Sequence, residues 1–260
     1  MILRLRQLAA LAMLAVLELY RRKDLFVVFL LAMVILLPLA FFEPFGVSGA
    51  SRYINELALL LIWIFSIIIG LGVSARLFPP EFESRTIYPL LAKPVGRGTV
   101  LFGKYLGGLG ASVSALLVFY LAYALLAGVR QGAWFTPVLL QAFLLHVGFL
   151  TVLTALALLG SLVLTPSATL TLCGLTTAGM LAFGQRLPAL AAAQTGPGRS
   201  VLLTIHWLAP HLEFFDMRQR VVHAWPCVDG WACSAVLGYA ACYAALCLAL
   251  ASRAFRRKRL

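Results

Sequence analysis

Apolar stretches with almost no charge recur along this chain at bilayer-spanning length, and they leave room for little but a membrane-embedded helical bundle. A helix needs about 20 apolar residues to cross the hydrocarbon layer. Six stretches qualify: 25–42, 57–75, 101–127, 138–164, 168–184 and 231–251. Lipid offers no partner to an open backbone N–H or C=O, so each stretch must close its own hydrogen bonds as helix. Composition agrees. Apolar residues make up 62% and charged residues 12%, against about a quarter charged in soluble domains. A soluble enzyme, a disordered chain and a disulfide-rich secreted module are excluded. The expected fold is an all-α polytopic membrane protein: residues 25–251 form six transmembrane helices, preceded by an N-terminal interfacial helix and followed by a basic tail at 252–260.

Residues 1–24 need their own argument. Leu8–Leu17 is apolar and follows Arg4 and Arg6, as in a signal peptide. No small-x-small cleavage site follows; Glu18 to Asp24, with Arg21, Arg22 and Lys23, leads straight into the first span. This segment reads as an amphipathic helix lying along the cytoplasmic surface. The net charge of +12 then becomes a topology signal. Fifteen of the 21 basic residues fall on one side if the N-terminus is inside: Arg4, Arg6, Arg21, Arg22, Lys23, Arg76, Arg85, Lys93, Arg97, Lys104, Arg253, Arg256, Arg257, Lys258 and Arg259. Only Arg52, Arg130, Arg186, Arg199, Arg218 and Arg220 remain outside. Lys and Arg favour cytoplasmic loops, so both termini are expected inside, in a cell (inner) membrane. The charge carries no nucleic-acid signal.

Chemistry inside the spans is sparse. None contains Asp or Glu, which argues against a proton-coupled carrier. Lys104 lies about one turn inside the third span and is expected to snorkel to the headgroups. His146 and Gln141 lie in the fourth span, where a helix-to-helix hydrogen bond is the expected role of His146. The run Gly98–Lys104 has GxxxxGK spacing, but Tyr105 stands where Ser or Thr must reach magnesium, and the run enters a span. It is no nucleotide site. Catalytic motifs are absent, and no cofactor is expected in this chain. Gly103, Gly107, Ala111 and Ala115 recur every four residues and form a flat stripe for helix packing, either within the chain or between subunits.

Two connections are long enough to carry function, 76–100 inside and 185–230 outside. The outer one holds His206, His211, His223 and Cys227, with Cys233 just inside the last span. Their spacing matches no ligand motif, so no metal site is expected, although a metal-handling protein stays as an alternative. Cysteines 173, 227, 233, 242 and 247 form no CxxC pair; a Cys227–Cys233 disulfide is left open. Around Pro210, the run Trp207–Asp216 followed by Met217–Val222 suggests a short interfacial or re-entrant helix pair, with Leu212, Phe215 and Val222 dipping into the bilayer.

The inner connection carries a resemblance. Glu81-Phe82-Glu83-Ser84-Arg85-Thr86, then Leu90-Leu91-Ala-Lys93-Pro94-Val95-Gly96-Arg97, then Leu101-Phe102-Gly103-Lys104, resembles the permease subunits of type-2 ABC exporters. Their usual pattern is E-x-E-x-G-T, then L-L-x-x-P-V-S-R, then G-K opening the third span; this chain departs at Arg85 and Gly96. A P-x-L-E-x-F-like element at Pro210–Phe215 extends the likeness, which looks closest to the multicopper-enzyme-maturation and gliding-associated branch. The resemblance implies a coupling helix in this loop, docked on a separate cytoplasmic ATPase that holds ATP and magnesium. Glu81, Phe82, Glu83, Ser84, Arg85, Thr86, Pro94 and Arg97 would make that contact. It also implies a second permease, either a copy or a related chain. A membrane anchor passing force to an external partner at 185–230 is the rival reading.

Overall fold

The computed structural model describes residues 50–83, 96–131, 134–194 and 196–257, with isolated positions between 9 and 34. The expected surface helix and first span therefore lie outside the described residues, apart from contacts such as the stacking of Phe29 on Phe119 at 5.5 Å. Among the described residues there is no strand. The long helices are α1 (Ala50–Ser74), α3 (Arg97–Gln131), α4 (Pro137–Val163), α5 (Pro166–Phe183) and α9 (Gly230–Arg257). Short helices connect them: α2 (Pro79–Glu83), α6 (Leu187–Ala192), α7 (Pro197–Leu208) and α8 (Arg218–Val222), with 3-10 turns at Gly184–Arg186 and Leu212–Phe215. Five stretches are long and apolar enough to cross a membrane: Arg52–Phe82, Arg97–Val129, Pro137–Val163, Pro166–Ala192 and Gly230–Arg257.

Local signals set several boundaries. Thr136 and Thr165 cap α4 and α5 by accepting the N–H of Leu139 and of Ala168, and in each case proline follows at the first helical position. A threonine cap satisfies an otherwise open donor, and proline there gives up an N–H that had no partner. Gly196, at φ +76, turns the chain into α7 on the left-handed side that glycine tolerates. The last helix runs to Arg257, so Arg253, Arg256 and Arg257 of the basic tail are helical.

Apolar all round, α4 is the central helix, with fifteen of its 27 residues buried. Around it, α1 turns Tyr53, Leu57, Leu60, Ile64 and Ile68 outward at helical spacing, the face expected to meet lipid. α9 packs along α4, and its buried residues up to the tail are the small Ala240, Ala244, Cys247 and Ala251. On α3, Gly103 and Gly107 are buried within this single chain, while Ala111 and Ala115 are half-buried against the core. That end of the stripe is occupied by the chain's own packing. α1 and α3 also approach closely at Gly108, where an added Cβ would meet Leu77 Cδ1 at 2.9 Å.

Candidate functional site

The two ends of the bundle are tied differently. At the end where α1 stops and α3 begins, called here the basic end, the chain turns at Arg76–Leu77 into α2. Lys104, about two turns into α3, is 5% exposed and does not reach for headgroups. Its ammonium donates to the carbonyl of Leu77 at 2.6 Å and pairs with Glu81 Oε1 at 2.5 Å, 4.9 Å above the Phe78 ring. Snorkelling requires a path outward along the helix; here the side chain faces the bundle, where α2 brings it a carboxylate. Glu81, expected on the docking face, is thereby spent on an internal ion pair.

Aromatic packing completes this joint. Phe78 lies 5.9 Å from Phe82 and 5.3 Å from Phe255, and Phe82 lies 6.4 Å from Phe255. Arg97 begins α3, an unfavourable place for a cation, but its guanidinium reaches the end of α9. It donates to the carbonyls of Phe255 (3.4 Å) and Arg256 (3.2 Å) and sits over the Phe255 ring at 5.9 Å. Cations at a helix C-terminus are favourable because the last carbonyls lack intrahelical donors. Of the expected docking residues, Glu81, Phe82 and Arg97 thus converge. Ser84, Arg85, Thr86, Pro94 and the Glu83 side chain lie outside the described residues. Leu77, Phe78 and Phe255 were missed. Phe255, a lone aromatic in the basic run Arg253–Arg259, was the available signal.

A second polar cluster sits in mid-bundle. His146 on α4 is fully buried, stacked 4.4 Å from Trp63 on α1. Ser66 Oγ donates its one proton to the Trp63 carbonyl at 2.8 Å, so it must accept from His146 Nε2 at 2.8 Å. That tautomer leaves His146 Nδ1 to accept from the Tyr120 hydroxyl of α3 at 3.2 Å. The expected helix-to-helix role of His146 holds, and three helices are joined by it. Arg218 lies over the same Trp63 ring, 5.5 Å from its centroid, and is itself held by Asp216 at 2.6 Å.

At the opposite end, called the loop end, neutral side chains make the hydrogen bonds between the loop and α4 or α9, while the Arg218–Asp216 pair lies within the loop itself. Gln141 donates to the Val228 carbonyl and accepts the Val228 N–H, both at 2.8 Å. Tyr239 accepts the His211 N–H at 2.9 Å, and Tyr243 donates to the Leu208 carbonyl at 3.2 Å. Leu212, Phe215 and Val222, expected to dip into lipid, are buried in protein instead. Gly148 makes room for the Phe215 ring, which an added Cβ would meet at 3.0 Å. Glu213 follows Leu212 inward; its carboxyl lies against Gly184, and its Oε2 takes no hydrogen bond among the described residues.

Of the four candidate metal ligands, only His206 and His211 meet, ring centroids 4.6 Å apart. His223 stacks on Trp225, Cys227 is exposed, and all five cysteines are free thiols. Among the described residues no three His, Cys, Asp or Glu are grouped to hold a metal. The run from Gly98 to Lys104 is helical, consistent with its rejection as a phosphate-binding loop.

The geometry is that of a helical membrane body whose ionisable groups hold its own connections in place, with a structured segment at the basic end. No curated protein matches the sequence. A family model described as ABC-2 family transporter protein matches residues 17–260. The chain belongs to the ABC-2 transporter family, whose members are the membrane permease components of ABC transporters, and it is a multi-pass membrane protein of that family.

Proposed function

We propose that this chain moves a substrate across the membrane by ATP-driven alternating access, powered by a separate ATPase subunit that binds ATP and magnesium. The basic end faces the cytoplasm, both termini lie on that side, and the membrane is the cell inner membrane. The loop around α2 is the coupling element, and a second permease completes the assembly. The branch associated with multicopper-enzyme maturation and gliding is the one its motifs resemble most. One observation carries this reading: α2 is bound to α3 by the Lys104–Glu81 pair and to α9 by the Phe78–Phe82–Phe255 cluster. A push on α2 would therefore move helices rather than a loose loop.

Copurification from native membrane tests it. Glu83→Lys combined with Arg85→Glu is expected to release the ATPase and abolish ATP-dependent transport. Retention of full coupling in that variant overturns the assignment. A force-transmitting membrane anchor is the second reading, supported by α7, which has no buried residue and exposes Val201, Ile205, Trp207 and Leu208. ATP-dependent flux in reconstituted vesicles favours the permease; an intact ATPase cycle without flux favours the anchor.

A further inference from the structure

We infer that α9 is the stiff link that carries motion from the ATPase-facing end to the loop end, with Phe255 as its lower joint and Tyr239 and Tyr243 as its upper one. This rests on the reading that an ATPase acts at the basic end. Three observations support it independently of that reading. First, α9 is attached at both ends by specific contacts. Below, Phe255 packs on Phe78 and Phe82, while Arg97 holds the carbonyls of Phe255 and Arg256. Above, Tyr239 and Tyr243 hold the backbone at His211 and Leu208, the two residues flanking Ala209-Pro210. The Phe214 and Phe215 rings also lie within 6.4 Å of Tyr239.

Second, the stretch between the joints is built to be stiff. From Tyr239 to Arg257 there is neither glycine nor proline, whereas α3 contains several glycines. Kinks arise at proline, at glycine or serine pairs and at bulges. Sixteen residues separate Tyr239 from Phe255, about 24 Å of helix at 1.5 Å per residue. Third, the seam along α4 is close-fitting. Between the joints the buried α9 side chains are the small Ala240, Ala244, Cys247 and Ala251, which lets the two helices approach closely along their length. Contiguity alone does not establish coupling. A link that is stiff, closely seated and pinned at both ends has the mechanical properties that coupling requires.

The test uses the full chain in its copurified ATPase complex, with Phe214→Cys as a reporter in a background where Cys227 and Cys242 are replaced by Ala. Phe214 is 53% exposed and lies beside the upper joint. The readout is the rate at which a membrane-impermeant maleimide modifies that thiol, with and without ATP. ATP is expected to change the rate at least about 3-fold in the parent, an equilibrium shift of modest size. Phe255→Ala, and separately the double variant Tyr239→Phe with Tyr243→Phe, should abolish the ATP dependence, and the tyrosine double variant, remote from the basic end, should still copurify with the ATPase and hydrolyse ATP. The tyrosine pair keeps both rings, so it guards against simple misfolding. Ala241→Gly with Ala245→Gly, on the exposed face between the joints, should weaken the response; Ala178→Gly with Ala182→Gly on α5 should not. A response that persists in the joint variants, or no response in the parent complex, overturns the proposal. Failure of any ATPase to copurify overturns instead the functional reading beneath it.

Discussion

The two ends of this bundle solve one problem, fastening an irregular connection to a helical body, by opposite electrostatic means. At the basic end a single buried cation does most of the fastening: Lys104 holds both the Leu77 carbonyl and the Glu81 carboxylate. At the loop end the hydrogen bonds to α4 and α9 come from neutral side chains, Gln141, Tyr239 and Tyr243, each bonding to backbone, while the half-buried Arg218–Asp216 pair lies within the loop. A buried ion pair is brittle because losing one member strands the other in low dielectric. Neutral hydrogen bonds are individually weaker and can be lost one at a time. Under the proposed function, an end pushed as a unit suits the first arrangement and an end that opens and closes suits the second.

The comparison breaks if the ends prove equally tolerant, and the largest effect tests that directly. Lys104→Met is expected to cost up to about 3 kcal/mol by leaving the part-buried Glu81 unpaired, read from unfolding in mixed micelles. Adding Glu81→Gln should recover a large part of that loss. A cost below about 1 kcal/mol would mean that water reaches the pair and that the basic end is not the brittle one. Next in size is His146→Phe, which keeps an aromatic ring on Trp63 but strands the Tyr120 hydroxyl and removes the N–H that Ser66 Oγ accepts. A cost of about 1–3 kcal/mol is expected for such unsatisfied groups. Gly184→Ala should cost about 1–3 kcal/mol, because the new Cβ would meet the Glu213 carboxyl at 2.6 Å. If Glu213→Ala in the same chain relieves that cost, the clash is the cause.

Smaller effects sharpen the picture of the loop end. Tyr243→Phe removes one bond to the Leu208 carbonyl, at the half-exposed end of α7, and about 1 kcal/mol is the expected loss. Gln219→Ala removes an exposed contact with Glu56 at 3.2 Å and should change stability by less than about 0.5 kcal/mol. Additivity of the Gln141→Leu and Tyr243→Phe costs within about 0.5 kcal/mol would show separable fastenings. Strong non-additivity would show instead that the loop end moves as one body.

Much of the body was legible before any coordinates. The spans at 57–75, 101–127, 138–164, 168–184 and 231–251 correspond to the five described apolar helices, because lipid forces every backbone group to pair within its own helix. Their ends were harder to read. α3 begins at Arg97 and α9 continues to Arg257, since a helix can carry charge past the hydrocarbon where hydropathy stops signalling. The Thr136-Pro137 and Thr165-Pro166 caps were written in plain local chemistry. The inward packing of Leu212 and Phe215 was not, because the same apolar face would serve lipid or protein equally well.

Side-chain partners mark the boundary between the two kinds of information. By itself the sequence determined that this chain is a bundle of membrane-crossing helices, since solvent and backbone hydrogen bonding act on each segment alone. Only the tertiary structure decided that Lys104 turns inward to Glu81, that Phe255 in the tail meets Phe78 and Phe82, and that His146 joins three helices. Those pairings depend on which helices lie side by side and how each is rotated. Neighbours distant in the chain set both, and no local pattern encodes them.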